Sequence, residues 1–529
     1  MTIFEWRVWK RIYYYLFFRT NQRPDRTYRY PFKKKFMNPK KIVVIGGGFG
    51  GLAAAIRLAS KGHDVHLFEK REKLGGRAYQ YEINGFKFDG GPTVITAPYI
   101  FDELFAAAGK KKEDYINLVP LDIFYRFFHP GGRQLDYTGN LDQMAREVER
   151  FNPSDVEGFR RFARQVKAIF DLFGAFTDRP FRSVWDMLRI IPPAYRVKGH
   201  IGTHRFVSRY IKDPFLRQVF SFHPLLIGGS PITTPSFYTL IAQFEREWGL
   251  YYAMGGTYTI VEAFEKLIRE KNGKIHLNSE VSEILFEGRK ASGVRLADGT
   301  EVRSDAVVCN SDLAHTYLNM IPPGKKRPVL DWRIRNMNYS ISLFVYYFGT
   351  KKRYLDSRLQ HHNLIYGENY RAHMKELFRG RKVPDDLFLY LHMPTRTDDT
   401  ISPEGTELFY VLALVPNLKE ETDWKSLGPG YRDRIVDVLE RNYLPDLKEN
   451  IIAEHYIDPI HFRDTLNSYK GAAFAATPEL TQTAYLRPLN QSKFYKNLYF
   501  VGAGTHPGPG VPAVISSGKI VAEMIDPSN

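Results

Sequence analysis

Cysteine is almost missing from this chain: Cys309 is the single one in 529 residues. That excludes an intramolecular disulfide framework and any zinc or iron–sulfur site built on several thiolates. It leaves the redox compartment open. Long apolar runs are also missing. Ile12 to Phe18 and Ile341 to Phe348 are the longest of interest, well short of the roughly 18 residues that a spanning helix needs, so an integral helical membrane protein is not expected. The sequence holds no HExxH pair, no evident Ser/His/Asp triad, no recognition-helix, zinc-finger or RNP-type motif, and no repeats or low-complexity tracts. No metal site and no nucleic-acid partner are expected. A hydrophobic content of 43% with 41 Gly and 31 Pro describes a globular chain, which excludes collagen-like and coiled-coil architectures.

Positive charge and aromatic rings are in excess. There are 75 Lys and Arg against 58 Asp and Glu, for a net charge of +17, and aromatics make up 15%. Such a balance suits an anionic surface, or serves solubility alone. It is uneven: residues 1–36 hold ten Lys or Arg against Glu5 and Asp25, so +8 of the +17 lies there. In that stretch Trp6, Trp9, Tyr13 to Tyr15, Phe17 and Phe18 interleave with Arg7, Lys10, Arg11 and Arg19. Amphipathic rings beside cations suit the interface of a bilayer with anionic headgroups. No small-residue cleavage site follows, which argues against a secretory signal. Three readings stay open: an interfacial anchor, a floppy tail or a start placed too early (Met37 stands shortly before the first strand), and some other partner.

The region after it is sharper. Lys41 to Ile45 is a β-branched run of the kind found in buried parallel strands. It enters Gly46-Gly-Gly48-Phe-Gly-Gly51 and then an Ala-rich helical stretch, Leu52 to Ser60. Gly46 permits the tight turn, Gly48 lets backbone approach a pyrophosphate, and Gly51 lets helix and strand pack closely, with the helix N-terminus facing the phosphates. A second strand, Asp64 to Phe68, ends at Glu69, 23 residues after Gly46. A carboxylate there accepts ribose hydroxyls and repels a 2′-phosphate. Strand, glycines, helix, strand and acid in register predict a bound dinucleotide.

Glu69-Lys70-Arg71-Glu72-Lys73-Leu74-Gly75-Gly76-Arg77 resembles the extended FAD motif of the glutathione-reductase-2 group, which includes amine oxidases, protoporphyrinogen oxidases and carotenoid desaturases. Arg77 can offer a guanidinium fork to phosphate or flavin, or else forms a surface pair with Glu72 or Glu82. The resemblance places Gly91, Pro92 and Thr93 near the isoalloxazine and the backbone of Val281 against adenine. Near the other end, Asn497 to Val501 enters Gly502-Ala-Gly504-Thr-His506-Pro-Gly-Pro-Gly-Val511-Pro512 and a helix. This segment is similar to the signature of bacterial-type phytoene and carotenoid desaturases. It implies that Gly502, Gly504, Val511 and Pro512 bind FAD, with backbone N–H groups and a helix start near the flavin pyrimidine. Where many relatives have Gly-Asp, this chain has Gly502-Ala503, so ribityl contacts must come from backbone. His506 is a candidate general base, against a turn histidine that shapes the loop before Pro507. Cys309 reads as a buried core thiol.

The expected fold is α/β: a Rossmann-like FAD-binding domain from residues 37–93, 255–330 and 470–529, with a mixed-sheet substrate domain and helical cap from 94–254 and 331–469. Asp142 to Phe176 has helical spacing, and Ile341 to Phe348 reads as an apolar strand. The resemblance implies an FAD-dependent desaturase that introduces conjugated double bonds into an acyclic isoprenoid such as phytoene, by hydride transfer to flavin. Its substrate would be a membrane-dissolved carotenoid, its electron acceptor a quinone or oxygen, and its place the cytoplasmic face of a membrane, as a peripheral protein. Sister activities stay open: C30 diapocarotenoid or hydroxy- and methoxycarotenoid desaturase, terminal oxidase, ketolase or isomerase. A non-catalytic isoprenoid binder is a third reading, which intact Glu69 and Gly75-Gly76-Arg77 argue against.

Overall fold

Lys41–Ile45 forms the middle strand of a five-stranded parallel sheet. The computed structural model describes residues 38–174, 177–180, 184–379, 382–419 and 422–527; the basic aromatic stretch 1–36 lies outside them. The strand order is Lys274–His276, Asp64–Phe68, Lys41–Ile45, Ala306–Cys309, Leu498–Phe500. Both faces of this sheet are covered, which is why Ile42 to Ile45 and Ala306–Cys309 are apolar throughout with no polar alternation. Helices Phe49–Ser60, Tyr258–Glu270 and Val511–Ile525 pack over one face. Small residues let them approach: a Cβ on Gly518 would lie 2.7 Å from the Ala54 nitrogen. The second face packs on the Val281–Glu287 and Lys290–Leu296 hairpin. Cys309 is fully buried there and burial pushes its thiol pKa up, as a core residue requires.

A seven-stranded mixed sheet stands beside it, in the order Ile451–Ile457, Ser342–Thr350, Glu407–Val415, Leu389–His392, His362–Ile365, Tyr125–Phe128, Gln134–Tyr137. Its pairings are antiparallel except for Tyr125–Phe128 on His362–Ile365. Side chains alternate with period two. Phe344, Tyr346, Phe348, Phe409 and Val411 face helix Trp424–Asn442, while Leu343, Val345, Leu364, Tyr390 and Leu412 face a second core closed by helices of residues 141–248. The helical spacing across Asp142 to Phe176 resolves into two helices, Leu141–Phe151 and Val156–Phe173. Pro153 forces Asn152 out of the α region, and Asn152 sits at φ −155°, ψ 100°. Residues Lys40–Asn529 form one compact unit.

Candidate functional site

The Gly-rich turn is built by backbone geometry that side chains would obstruct. Gly46 has φ +91°, which a β-carbon makes costly. A Cβ on Gly51 would stand 2.1 Å from the Gly46 carbonyl oxygen. Helix Phe49–Ser60 starts at Gly48 with no side chain capping its first amides, so those N–H groups are offered to a ligand. Glu69 is buried at the tip of its strand. The Gly47 N–H donates to its Oε2 at 2.7 Å and the Arg71 N–H to its Oε1 at 3.0 Å. Two amides thus orient the carboxylate and leave lone pairs for ribose hydroxyls.

Opposite this turn, Gly75 and Gly76 adopt φ +114° and +57°, and Gly75 bridges to Gly48. Arg77 donates to Ser468 Oγ at 2.7 Å, rather than to Glu72 or Glu82. Its Nε is shut off from solvent and has no partner among the described residues. Burial lowers the Arg77 pKa against the pull of Asp312. Gly91 is fixed against Arg77, since a Cβ there would sit 2.2 Å from the Arg77 carbonyl oxygen. Lys70 donates to Asn467 Oδ1 at 3.0 Å, and the Pro92 carbonyl accepts from Thr257 Oγ1 at 2.7 Å.

At the far end of the groove Gly502 has φ +91° and its N–H donates to Ser517 Oγ at 2.9 Å. Helix Val511–Ile525 begins after Gly510 with Pro512 in its first turn, where Pro fits. One cavity of about 710 Å³ is lined by Gly46, Gly48, Glu69, Lys70, Gly75, Gly76, Arg77, Gly91, Pro92, Thr93, Val281, Gly502, Val511 and Pro512. Gly51 and Gly504 do not line it. Gly51 packs behind on Gly46, and Gly504 on Leu313. His506 borders the cavity, with its Nε2 bonded to the Arg179 carbonyl at 2.9 Å and its own carbonyl accepting from Asn490 Nδ2 at 2.7 Å. These bonds tie it into the loop.

Sequence reasoning missed several residues. Asn310 ends the Ala306–Cys309 strand under the glycine turn, where its Nδ2 donates to the Gly46 carbonyl at 3.2 Å. A Cβ on Gly48, Gly50 or Gly502 would press on its amide at 2.9, 2.7 and 2.7 Å. Arg487, 1% exposed, donates to the Ala503 carbonyl at 2.7 Å and the Thr505 carbonyl at 3.1 Å, and so holds the carboxyl-terminal loop. A buried cluster, His361, His362 and His392, lies where the interior strands His362–Ile365 and Leu389–His392 begin and end, with ring nitrogens within 4.8 Å of one another. His361 and His392 bond Nε2 to Nε2 at 3.0 Å, and His361 Nδ1 bonds Thr397 Oγ1 at 2.7 Å. Helix Val184–Arg196 borders the cavity through Met187, Ile190, Ile191, Ala194 and Tyr195; Trp185 and Leu188 are exposed at 67 and 45%, as are the bordering Ile191 and Tyr195 at 46 and 69%. The recurrence of apolar side chains three or four residues apart, at 185, 188, 191 and 195, was the available signal.

The groove suits FAD. Its glycines admit a pyrophosphate, Glu69 suits a ribose, and the orphaned Arg77 Nε lies where the groove continues toward Gly91 and Thr93. The fold and site define a dinucleotide-binding flavoprotein oxidoreductase. Residues 49–526 match the flavin containing amine oxidoreductases, and the chain belongs to that family. It is 44% identical to a phytoene desaturase (lycopene-forming) of Pseudescherichia vulneris over 92% of this chain and 99% of the relative. It is 33% identical to a 4,4'-diapophytoene desaturase (4,4'-diaponeurosporene-forming) of Staphylococcus haemolyticus, over 92% and 98%. Among solved structures, an oxidoreductase from Methanosarcina mazei superposes with a TM-score of 0.63 at 17% identity, over 91% of this chain and all of the other; that likeness shows the fold.

Proposed function

We propose that this chain is an FAD-dependent carotenoid desaturase that forms conjugated double bonds in an acyclic C40 isoprenoid such as phytoene. The observation that carries the reading is the continuity of the cavity. From the cofactor glycines it passes Thr93 and runs along an apolar wall that includes Leu343, Val345, Leu364, Phe388, Leu412 and Leu414. A hydrocarbon has no hydrogen-bonding handle, so burial must supply its affinity, at about 0.8 kcal/mol per CH2. The stronger likeness to a phytoene desaturase than to a diapophytoene desaturase, 44% against 33%, favours the longer skeleton.

Bound FAD supplies a two-electron acceptor that takes hydride from an allylic carbon. The protein's own part is positional. Leu364 and Leu412 hold the chain along the sheet, the packed wall excludes water, and Gly91 to Thr93 bring backbone close to the reacting end. A quinone or oxygen would serve as the electron acceptor.

The substrate dissolves in lipid, which favours a peripheral protein at the cytoplasmic face of a membrane. No helix among the described residues is long and apolar enough to cross one. The outward apolar side of Val184–Arg196 at the cavity is suited to the interface, as is the basic aromatic sequence of residues 1–36. Expression in a bacterial host that accumulates phytoene tests the activity: coloured polyenes should replace phytoene and their absorption count the steps. Unchanged phytoene beside a yellow, FAD-loaded protein would refute it. Flotation with anionic vesicles tests the location, and W185S/L188S should float less.

A further inference from the structure

One polar line leaves the apolar cavity. Thr93 and Tyr390 both border it, and their hydroxyl oxygens lie 2.6 Å apart. The Tyr390 hydroxyl lies 2.7 Å from His362 Nδ1. All three residues are buried, and His362 Nε2 has no hydrogen-bond partner among the described residues. Hydroxyls and an imidazole at such distances, aimed from a hydrocarbon pocket into a sheet, serve no evident packing purpose, since an apolar trio would cost less to bury. The phenol has one proton to give. With Nδ1 of His362 bare, Tyr390 donates to it and accepts from Thr93, so the line points inward and ends on a base.

We propose that Thr93, Tyr390 and His362 form the relay that takes the proton released in each desaturation, an inference that rests on the desaturase reading above. Each new double bond removes two hydrogens. One leaves with both electrons of its C–H bond as hydride to the cofactor. The neighbouring C–H loses a proton, and its bonding pair becomes the new π bond. That proton lands on Thr93 Oγ1, the threonine proton passes to Tyr390 Oη, and the tyrosine proton passes to His362 Nδ1. His362 ends as imidazolium, and the hydroxyls are restored in number.

A strong base is not required. Carbon that has lost hydride is cationic, and its neighbouring C–H is a strong acid. Burial pushes the His362 pKa well below its ordinary value, so once product leaves and water enters the emptied cavity, the imidazolium gives its proton back along the same line, from Thr93 to that water. His361 and His392 oppose a charge on His362, and two buried acidic side chains stand one residue further out, behind His361 and Tyr125. Asp398 is held ionised by the Gly255 N–H and the Thr400 hydroxyl and acts on His361, whose ring is 4.5 Å from that of His362. Glu245 accepts from Tyr125 Oη at 2.8 Å, and the Tyr125 ring is 6.0 Å from that of His362.

The test uses the full-length, FAD-loaded protein with phytoene in phospholipid vesicles. Wild type, Y390F, H362Q, T93V and T93S are compared in water and deuterium oxide. Y390F, H362Q and T93V should keep their flavin spectrum and KM while kcat falls on the order of 10²-fold, the lower range for a lost proton-transfer group. T93S keeps the hydroxyl and should lose far less rate than T93V, and the solvent isotope effect on single-turnover flavin reduction should vanish in Y390F. Should Y390F or H362Q fail to load FAD, the isosteric T93V against T93S decides. Wild-type kcat and isotope effect in T93V and Y390F would overturn the relay. A wild-type protein that binds FAD yet leaves phytoene intact would instead bring down the desaturase reading, and the relay with it.

Discussion

Replacing Arg487 with Met removes a cation that no sequence motif points to and that the flavin loop depends on. The guanidinium is almost fully buried and reaches the carbonyls of Ala503 and Thr505 at 2.7 and 3.1 Å. Charge-assisted bonds of this kind contribute about 1.5–3 kcal/mol each, so the two together are worth about 3–6 kcal/mol. Part is offset by the cost of keeping a lone cation dry, which the lowered Arg487 pKa reports. A net loss of about 3 kcal/mol from the ordered loop remains, because Met keeps the apolar stem and leaves two carbonyls unsatisfied. If FAD binds only to the ordered loop, affinity should fall about 10²-fold. Titration of the apoprotein with FAD reads this directly, and a thermal melt without FAD reads the loss in the loop itself. A Kd for R487M within about threefold of wild type would refute the assignment of this residue to the flavin loop, since each tenfold step is about 1.4 kcal/mol.

Other outcomes follow from the same geometry. G51V should give protein without flavin, because even the first added carbon meets the Gly46 carbonyl at 2.1 Å; a stoichiometric flavin-to-protein ratio would contradict this. Asp89 accepts the Thr257 and Tyr258 amides at the start of helix Tyr258–Glu270, and burial raises its pKa from 3.8 to about 6. A carboxyl whose folded pKa is raised is most stabilising while protonated, so its contribution declines as pH rises from about 4 to about 6, by up to about 3 kcal/mol. D89N should lack that component, and melts at about pH 4 and about pH 7.5 should show wild type losing stability relative to the variant on going to the higher pH.

The cofactor half was readable because its chemistry is local. Gly46 to Gly51, Glu69, and Gly75 to Arg77 each act within a few residues of a strand end, so spacing alone brings them to one groove. Asn310 and Arg487 act on carbonyls of segments far away in the chain, and only the pairing of Ala306–Cys309 with Lys41–Ile45, and the fold-back of Arg487 onto Ala503 and Thr505, defines what they touch. The helical spacing read across Asp142 to Phe176 did not mark the break at Pro153, where one helix ends before the next begins. The substrate wall was hidden for a physical reason. A sheet with one wet face advertises its dry face by alternation, whereas Ser342–Thr350 is buried on both and reads as uniform apolar sequence. Leu343 and Val345 line the cavity while Phe344 and Tyr346 pack on a helix, and composition cannot separate them. The same burial explains why His361, His362 and His392 drew no notice. They are distant from the cofactor motifs in sequence, and only the antiparallel register of His362 opposite His392 turns three scattered imidazoles into one cluster beside Tyr390. Function in this chain is thus written twice: as loop motifs for the cofactor, and as strand register for the hydrocarbon and its proton.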